Sequence, residues 1–503
     1  MKIWNVRFLK RRLKGRCGIV ALIKLLGRML LRSAFIVGIG RCCQMVLSTR
    51  DDSERRQILD GPFILNELIQ LCKKKKKQAM IFKVDFKKAY DSVRWDFVDD
   101  ILKKFGFGEK WCLFKGMNVA SSLYISHLFY VDDAIFMGQW NQSNIDTITR
   151  VLEVFHRASG LRINMNKRSR VGGLMSRIQS WNDIIESMVS RLSRWKLKTL
   201  SIGGRLTLLK SVLGTIPIYH MSIFKVSMKV LQNMESIRPR FFNGADINSK
   251  KPSWVRWKNV TATKDTGGLG VSSLFALNIA LMSKWVWWFI SQQSSLWASL
   301  IKALHVEDGK IGKKKKTSYP SIWLSIIHEV ELLKSQGIDL PSFIILKLGN
   351  GVHTSFWDTK SDGWSRAGQL ELLKENIEGC ILSNMNDRWA WSLEGSGEFS
   401  VSSVRKVIDA TLLPKGTTKT RWIKAVPIKI NVHAWKFKHD CLPTRVNISR
   451  RGMKIESMLC TMCDNVVESS RHLFFSCHFI SELMRKITRW WDMDYMEINS
   501  FEE

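Results

Sequence analysis

Apolar positions between residues 56 and 173 fall into short blocks that predict alternating strands and helices. Ala79–Phe86 is an almost continuous apolar stretch, which is typical of a buried strand. Apolar residues then recur at helical spacing up to a predicted stop at Gly106. Tyr124–Tyr130 and Ala134–Gly138 predict two strands joined by a turn at Val131–Asp133. A further helix and a short strand follow, so the pattern predicts an α+β fold.

Helical patterns dominate from residue 174 to residue 242, and tryptophan is frequent after residue 251. The tryptophans at 285, 287, 288 and 297 fall within one strongly apolar region. Such side chains could stack on unpaired bases of a nucleic acid. Packing inside a helical core is the favoured interpretation, because their neighbours recur at helical spacing.

The balance of charged residues is the most unusual feature of the composition. The 503 residues, enough for about three domains, include 79 Lys and Arg against 44 Asp and Glu, a net charge of +35. Such an excess repels itself unless a polyanion neutralises it. The longest apolar run, Ala276–Ile290, is interrupted by Asn278 and Lys284 and falls short of the ~20 residues of a membrane span. Nucleic acid is therefore the predicted partner, and no membrane partner is predicted. The alternative is a soluble basic protein that binds no polyanion.

Cysteine usage and the first residues bear on the compartment. Ten cysteines in 503 residues are too few for a disulfide scaffold, and no signal-peptide pattern occurs. Both observations favour a reducing compartment. The first fifty residues are rich in Lys and Arg and contain no acid before Asp51, as in an organelle transit peptide or a fragment of a basic domain. The second interpretation is preferred, although organelle targeting stays open.

Three carboxylates stand out: Asp85 lies at the end of a predicted strand, and Asp132 and Asp133 lie in a predicted hairpin turn. Acids held together in a low dielectric repel one another, and divalent metal relieves that repulsion. Two Mg²⁺ ions ~3.5–4 Å apart, held by acids of two strands, form the clamp for in-line phosphoryl transfer. The alternative is an ordinary hairpin turn, which also favours Asp.

A second constellation lies near residue 470. Cys460, Cys463, His472 and Cys477 give C-x2-C, eight residues, then H-x4-C, all within 18 residues. Three thiolates and one imidazole suit tetrahedral Zn²⁺ with no open position, which predicts a structural zinc site. The alternative is a set of buried cysteines that happen to fall close together.

Several of these segments resemble one family. Residues 82–95, reading Phe-Lys-Val-Asp-Phe-Lys-Lys-Ala-Tyr-Asp-Ser-Val-Arg-Trp, resemble the first palm motif of plant LINE-type (non-LTR) reverse transcriptases. Leu128–Asp133 resembles their catalytic hairpin, with Val131 where Ala is commoner. Residues 56–61, 160–169 and 195–219 resemble, in the family's order, the segment before the first motif, the next palm motif and the thumb. Residues 422–477 look like the zinc-binding domain that follows these polymerases.

This resemblance implies an RNA-directed DNA polymerase that uses an RNA template, a DNA primer and deoxynucleoside triphosphates. The implied fold is a partial right-hand palm and helical thumb, followed by a mainly helical zinc-binding domain. The implied divisions are a basic unmatched segment (1–55), partial fingers and palm (56–173), a thumb-like helical region (174–245), a Trp-rich connector (246–410) and a zinc-binding domain (411–503). A retroelement ribonucleoprotein of this kind is expected in the nucleus, the cytoplasm or both.

The resemblance also assigns roles to single residues. Asp85, Asp132 and Asp133 would hold Mg²⁺ or Mn²⁺. Phe86 and Tyr90 would contact the incoming nucleotide, with Tyr90 testing the 2′ position of its sugar. Lys167 would donate a proton to the leaving pyrophosphate, and the zinc ligands would be structural.

The sequence departs from the family in the interval between the palm motifs. Only 46 residues separate Asp85 from Asp132, and no segment resembling Gln-Gly-Asp-Pro-Leu-Ser-Pro lies among them. We expect an internal deletion that weakens or abolishes polymerisation, since misplacing reacting groups by ~1 Å costs about a hundredfold in rate. No endonuclease or ribonuclease H region is expected. Autonomous transposition by this chain is therefore not expected either. A non-catalytic nucleic-acid-binding remnant and an intron maturase are the alternatives, and the zinc segment counts against the maturase.

Overall fold

The structure is a computed structural model in which two compact units are built from interleaved stretches of chain. Unit 1 comprises Met1–Leu174 and Met282–Glu398, and unit 2 comprises Met175–Leu281 and Phe399–Glu503. The residues described are 59–85, 116–120, 123–125, 127–130, 133–146, 178–194, 200–244, 254–293, 295–305, 321–347, 349–350, 385–413 and 418–497. The domain boundaries expected from the sequence stay predictions.

Helices predominate over small sheets, so the mixed α and β composition expected from the sequence is found. Four helices, α2 to α5, lie within the region where helical patterns were predicted to dominate. The strands are β1 Ala79–Asp85, β2 Met117–Ala120, β3 Leu123–Ile125, β4 His127–Tyr130, β5 Asp133–Gln139, β6 Ile344–Lys347 and β7 Arg388–Trp391. The helices are α1 Asp60–Lys74, α2 Asn182–Arg194, α3 Ile202–Leu208, α4 Ile218–Met221, α5 Met228–Asn243, α6 Trp257–Thr261, α7 Leu274–Ser291, α8 Leu296–His305, α9 Ile322–Ser335, α10 Val401–Leu412, α11 Ile428–Lys438, α12 Arg445–Arg450 and α13 His478–Trp490.

The sheet that carries the predicted acids is a three-stranded antiparallel sheet in the order β1-β5-β4. Ala79 pairs with Gln139 at one end of the β1–β5 ladder, and Asp85 pairs with Asp133 at the other. The first four residues of β1 are buried, with at most 5% of each exposed. Burial on both faces explains why β1 is almost continuously apolar instead of alternating.

One strand prediction was wrong. The stretch Tyr124–Tyr130 was expected to be a single strand, but β3 and β4 are separate strands in different sheets. β3 pairs with β2 across an irregular register, whereas β4 pairs with β5. Alternation of apolar and polar residues reports which face of a strand is buried, and it carries no information on which neighbour supplies the hydrogen bonds.

The core of unit 1 is aromatic. Trp285 of α7 stacks on Phe63 of α1 at 4.2 Å between ring centroids and meets Trp297 of α8 edge-on at 5.1 Å. Trp287 and Trp288 are also buried. Core packing is therefore confirmed for the four tryptophans. α7 is long and apolar enough to cross a membrane, but 67% of it is buried inside the protein, as in an ordinary core helix, so it is weak evidence for a span.

A buried polar network ties three helices of unit 1 together. The Glu67 carboxylate, which is fully buried, accepts hydrogen bonds from Ser321 Oγ at 2.8 Å and from the Trp323 N–H at 3.0 Å. Its other oxygen lies 3.1 Å from His305 Nε2. Buried carboxylates are costly unless they are paired in this way. The network therefore specifies how α1 meets α8 and the start of α9.

Unit 2 has its own core, in which α2, α3 and α5 pack with the start of α7 and with α11. Asn278, which interrupts the apolar run of α7, is buried and bonded to backbone. Its amide donates to the Met221 and Phe224 carbonyls, and its oxygen accepts from the Val226 N–H. Gly203 of α3 has no room for a side chain, because a Cβ would lie 2.7 Å from the Lys429 nitrogen of α11.

Candidate functional site

The Cys460–Cys463 pair lies in a tight hairpin of unit 2. Leu459 and Val467 form an isolated antiparallel bridge, and the Cys460 N–H donates to the Val466 carbonyl at 2.8 Å. The turn is closed by the Asp464 N–H, which donates to the Cys460 carbonyl at 2.9 Å. Asp464 has φ 50°, a left-handed conformation that Asp tolerates better than most residues. The turn presents both sulfurs on one side.

The other two predicted ligands come from the next helical segment. His472 begins a π-helical turn, His472–Ser476, and Cys477 follows it directly before α13. The Cys477 N–H donates to the His472 carbonyl at 2.9 Å, which brings the two side chains to the same side. The ring contacts of Phe437 with Phe474 at 4.9 Å and with Phe475 at 5.4 Å pack this turn against α11.

The structure brings the four ligands together. Their donor atoms all lie within 4.8 Å of one another, and the Cys463 Sγ to His472 Nε2 distance is 3.3 Å. In a tetrahedral site with Zn–S ~2.3 Å and Zn–N ~2.0–2.1 Å, donor atoms stand ~3.5–3.8 Å apart. Cys460, His472 and Cys477 are buried and Cys463 is partly buried. This closed Cys3His set fits structural zinc.

The hairpin acts in opposite directions on its two cysteines, whose thiolates are the form that binds metal. The pKa of Cys463 is lowered to about 7, first by the backbone N–H of Asn465, with further help from Val466 and His472. Burial raises the pKa of the Cys460 thiol, which opposes ionisation of this sulfur. The Ser476 hydroxyl lies 3.5 Å from His472 Nδ1, where it can orient the ring.

A polar network that the sequence analysis missed supports the hairpin. Asn447 of α12 donates to the Asp440 carboxylate at 2.9 Å and to the Leu442 carbonyl at 3.0 Å. The Ser470 hydroxyl donates to the same carboxylate at 2.8 Å, and Glu468 accepts from the Arg445 N–H at 3.0 Å. The sequence did contain a signal for this network. Asp440 comes just before Leu442-Pro443-Thr444, and Asp favours turns whereas Thr favours the first position of a helix, so a turn followed by a helix could have been predicted here.

The structure describes only the backbone of two of the predicted palm acids. Asp85 and Asp133 are register partners on β1 and β5, and Asp133 also pairs with Tyr130 of β4. Directly opposed residues in an antiparallel ladder have Cα atoms ~4.5–5.5 Å apart. Asp132, Phe86, Tyr90 and Lys167 lie outside the described residues. The metal-binding and nucleotide-binding roles of all six residues stay predictions.

Residues 399–483 match a family described as zinc-binding in reverse transcriptase. The match contains all four Cys/His ligands and begins at the residue where the second stretch of unit 2 begins. The cluster and this match together indicate a reverse-transcriptase-related protein with a zinc-binding domain.

Two curated proteins of Arabidopsis thaliana extend the relationship. The "Putative ribonuclease H protein At1g65750" is 28% identical over 340 residues, which are 59% of this chain and 54% of that protein. The "Uncharacterized mitochondrial protein AtMg00310" is 32% identical over 144 residues, 28% of this chain and 89% of that protein. The chain belongs to the same family as AtMg00310, and it spans about half the length of the first relative.

Proposed function

We propose that the chain is an RNA-directed DNA polymerase of a LINE-type retroelement, with a palm shortened by an internal deletion. The observation that carries the proposal is the β1–β5 register, which pairs Asp85 with Asp133 at one end of an antiparallel sheet. Two metal-binding carboxylates must come from neighbouring strands for two-metal phosphoryl transfer, and this register supports that requirement. The zinc-binding domain match supports the same class of protein.

Each predicted site residue has a defined task in this proposal. Asp85, Asp132 and Asp133 would hold the divalent ions, because Mg²⁺ prefers carboxylate oxygens and keeps positions open for phosphate. Bound Mg²⁺ or Mn²⁺ would supply charge stabilisation to the reacting phosphate. Phe86 and Tyr90 hold the nucleotide sugar, and Lys167 protonates the departing pyrophosphate. The net charge of +35 supports binding of an RNA template and a DNA primer.

A second candidate is a nucleic-acid-binding retroelement remnant without polymerase activity. It is favoured by the 46-residue interval between Asp85 and Asp132, in which the helix predicted after Ser92 leaves little chain for a nucleotide-pocket wall. The basic charge and the zinc-binding domain would be kept in such a remnant. The two candidates differ in one property, which is whether a primer grows.

Single-nucleotide primer extension on an RNA template, with Mg²⁺ and separately with Mn²⁺, separates them. We expect weak extension by the unaltered chain and a loss of at least ~100-fold in Asp132→Ala, because a metal ligand is removed. The control is Asp146→Ala, an exposed carboxylate that accepts a hydrogen bond from Gln142. It should extend like the unaltered chain. No extension by any form, with RNA binding that weakens as salt rises, would reject the polymerase and support the remnant.

A further inference from the structure

A cleft in unit 2 lies apart from the zinc cluster and from the palm acids. It has a volume of ≈ 150 Å³ and lies between the loop that contains Lys264 and one side of α10. That volume is about ten times the ~10–15 Å³ that a single water molecule requires by the same measure. Lys264, Arg405 and Lys406 line the cleft, together with Ser272, Asp265 and Asp409.

The loop that forms one wall is tightly built. Gly267 has φ 84°, and a Cβ on Gly268 would lie 2.0 Å from the Ala262 carbonyl oxygen, so neither position accepts an ordinary residue without strain. The Gly268 N–H donates to the Thr263 carbonyl at 2.7 Å, and the Trp435 indole of α11 donates to the Gly267 carbonyl at 2.7 Å. A wall held this way is pre-organised for a ligand.

Three cations converge on the cleft. The Lys264 ammonium lies 3.6 Å from the centre of the Trp422 ring, and this contact restrains its position. Arg405 donates from Nη1 to the Ser272 hydroxyl. Its Nε is buried and has no hydrogen-bond partner among the described residues. Lys406 is exposed and makes no hydrogen bond or ion pair with the described parts of the chain.

The two acids of the cleft compensate only part of its positive charge, because three cations and two acids line it. Asp265 is paired with Lys419 at 3.0 Å. Asp409 accepts from Ser273, lies 3.8 Å from Arg405 Nε, and has its pKa raised to about 6 by burial. The pKa of the neighbouring Lys210 is lowered to about 8 by burial and by the charges of Lys264 and Arg405. Three cations stand against two acids in this cleft, and one of the acids is paired with Lys419, so the net positive charge favours an anion there.

We propose that this cleft binds a phosphate group through Lys264, Arg405 and Lys406, and that the phosphate belongs to the backbone of a bound nucleic acid. The Arg405 guanidinium, whose side chain is 25% exposed, supplies directed donors, and the two ammonium groups supply charge. Such a contact positions a nucleic acid without reading its sequence. The proposal does not depend on polymerase activity, since a chain that extends no primer would still bind phosphate here.

The test compares matched variants of the full chain. The double variant Lys264→Gln/Lys406→Gln removes two charges from the cleft, and Lys229→Gln/Lys454→Gln removes two exposed charges elsewhere in unit 2. Binding of a labelled single-stranded RNA is followed by fluorescence anisotropy over a range of salt concentrations. We expect the cleft variant to bind RNA on the order of tenfold more weakly than the unaltered chain. The slope of log affinity against log salt concentration should fall by about one to two, because about one to two fewer ions are released on binding. Both changes should be smaller in the control.

A second arm titrates inorganic phosphate by calorimetry. Loss of both RNA and phosphate binding in the cleft variant supports the proposal in full. If the cleft variant loses phosphate binding but keeps its RNA affinity, the cleft binds an anion, and the proposal that this anion is a nucleic-acid backbone phosphate is overturned. RNA affinity equal to that of the control, with no phosphate heat in the unaltered chain, would overturn the site. If the double variant unfolds at a lower temperature than the unaltered chain, the single variant Lys406→Gln replaces it in both measurements. The Lys406 side chain is exposed, so its substitution should not affect folding.

Discussion

The Cys/His cluster and the β1-β5-β4 sheet both carry predicted metal ligands, and the two arrangements are built in opposite ways. The four predicted zinc ligands come from 18 consecutive residues, and a hairpin and one π-helical turn bring their donor atoms within 4.8 Å of one another. The palm acids come from Asp85 and from Asp132-Asp133, with 46 residues between them. Asp85 and Asp133 are register partners because β1 pairs with β5. The first arrangement is local, and the second depends on long-range pairing.

This difference has an energetic side. Closing a short loop costs little chain entropy, and zinc supplies its own binding energy to the segment that holds it. The β1-β5-β4 sheet has no comparable local source of stability. It relies on the core of unit 1, where Glu67 reaches His305 and Ser321 across 238 and 254 residues of sequence. The cluster should therefore respond to metal removal, and the palm region to core substitutions.

The largest expected effect is on the zinc module. In Cys460→Ser, zinc content should fall from one equivalent to none, because a buried ligand is lost. The segment should lose ~10 kcal/mol or more of local stability. Atomic absorption measures the first result, and hydrogen exchange over residues 457–477 the second.

Cys441→Ser is the matched control, because Cys441 is a half-buried thiol of unit 2 outside the cluster. It should keep its zinc. Full zinc content in Cys460→Ser, or unchanged exchange after chelation of the metal, would contradict the structural role.

The next effect concerns the long-range network of unit 1. Glu67→Ala removes the acceptor for Ser321 and Trp323 and should lower the free energy of unfolding by about 3–5 kcal/mol. Urea unfolding followed by tryptophan fluorescence reports it, since Trp285 and Trp297 are in the same core. Glu398→Ala, an exposed glutamate of unit 1, should change the value by less than ~0.5 kcal/mol. Equal effects of the two substitutions would show that the network carries no stability.

The smallest effect depends on pH. Burial raises the pKa of Asp409 from 3.8 to about 6, so charging this side chain costs more in the folded state than in the unfolded state. Its stability contribution is therefore full below pH ~4 and is lost as pH rises to ~6. Asp409→Asn should be more stable than the unaltered chain by about 2–3 kcal/mol at pH 7.5, and by almost nothing at pH 3.5.

Urea unfolding at both pH values measures this difference, and the exposed Asp494→Asn should show no pH-dependent gain. A gain for Asp409→Asn that is the same at both pH values would contradict the raised pKa.

Predictions from the sequence succeeded where the signal was local or reported burial. The four tryptophans were predicted to be core residues, and all four are buried. The ligand spacing of the Cys/His segment predicted a cluster, which the structure contains. The division of Tyr124–Tyr130 between two sheets was missed, because periodicity does not name a strand's partner. The Asp440–Asn447–Ser470 network was missed because each bond depends on how separate turns meet.

By itself, the sequence identified the resemblance to reverse transcriptases, the Cys/His cluster and the buried tryptophans, because each can be recognised from residue types over short stretches of chain. Only the tertiary structure decided which strands pair, and therefore that Asp85 stands opposite Asp133. The same is true of the cleft, where Lys264 and Arg405 are 141 positions apart in the chain and meet only through packing of α10 on the Lys264 loop. The physical reason is that spacing governs contacts within one turn, whereas distant contacts depend on burial and hydrogen bonding summed over a whole core.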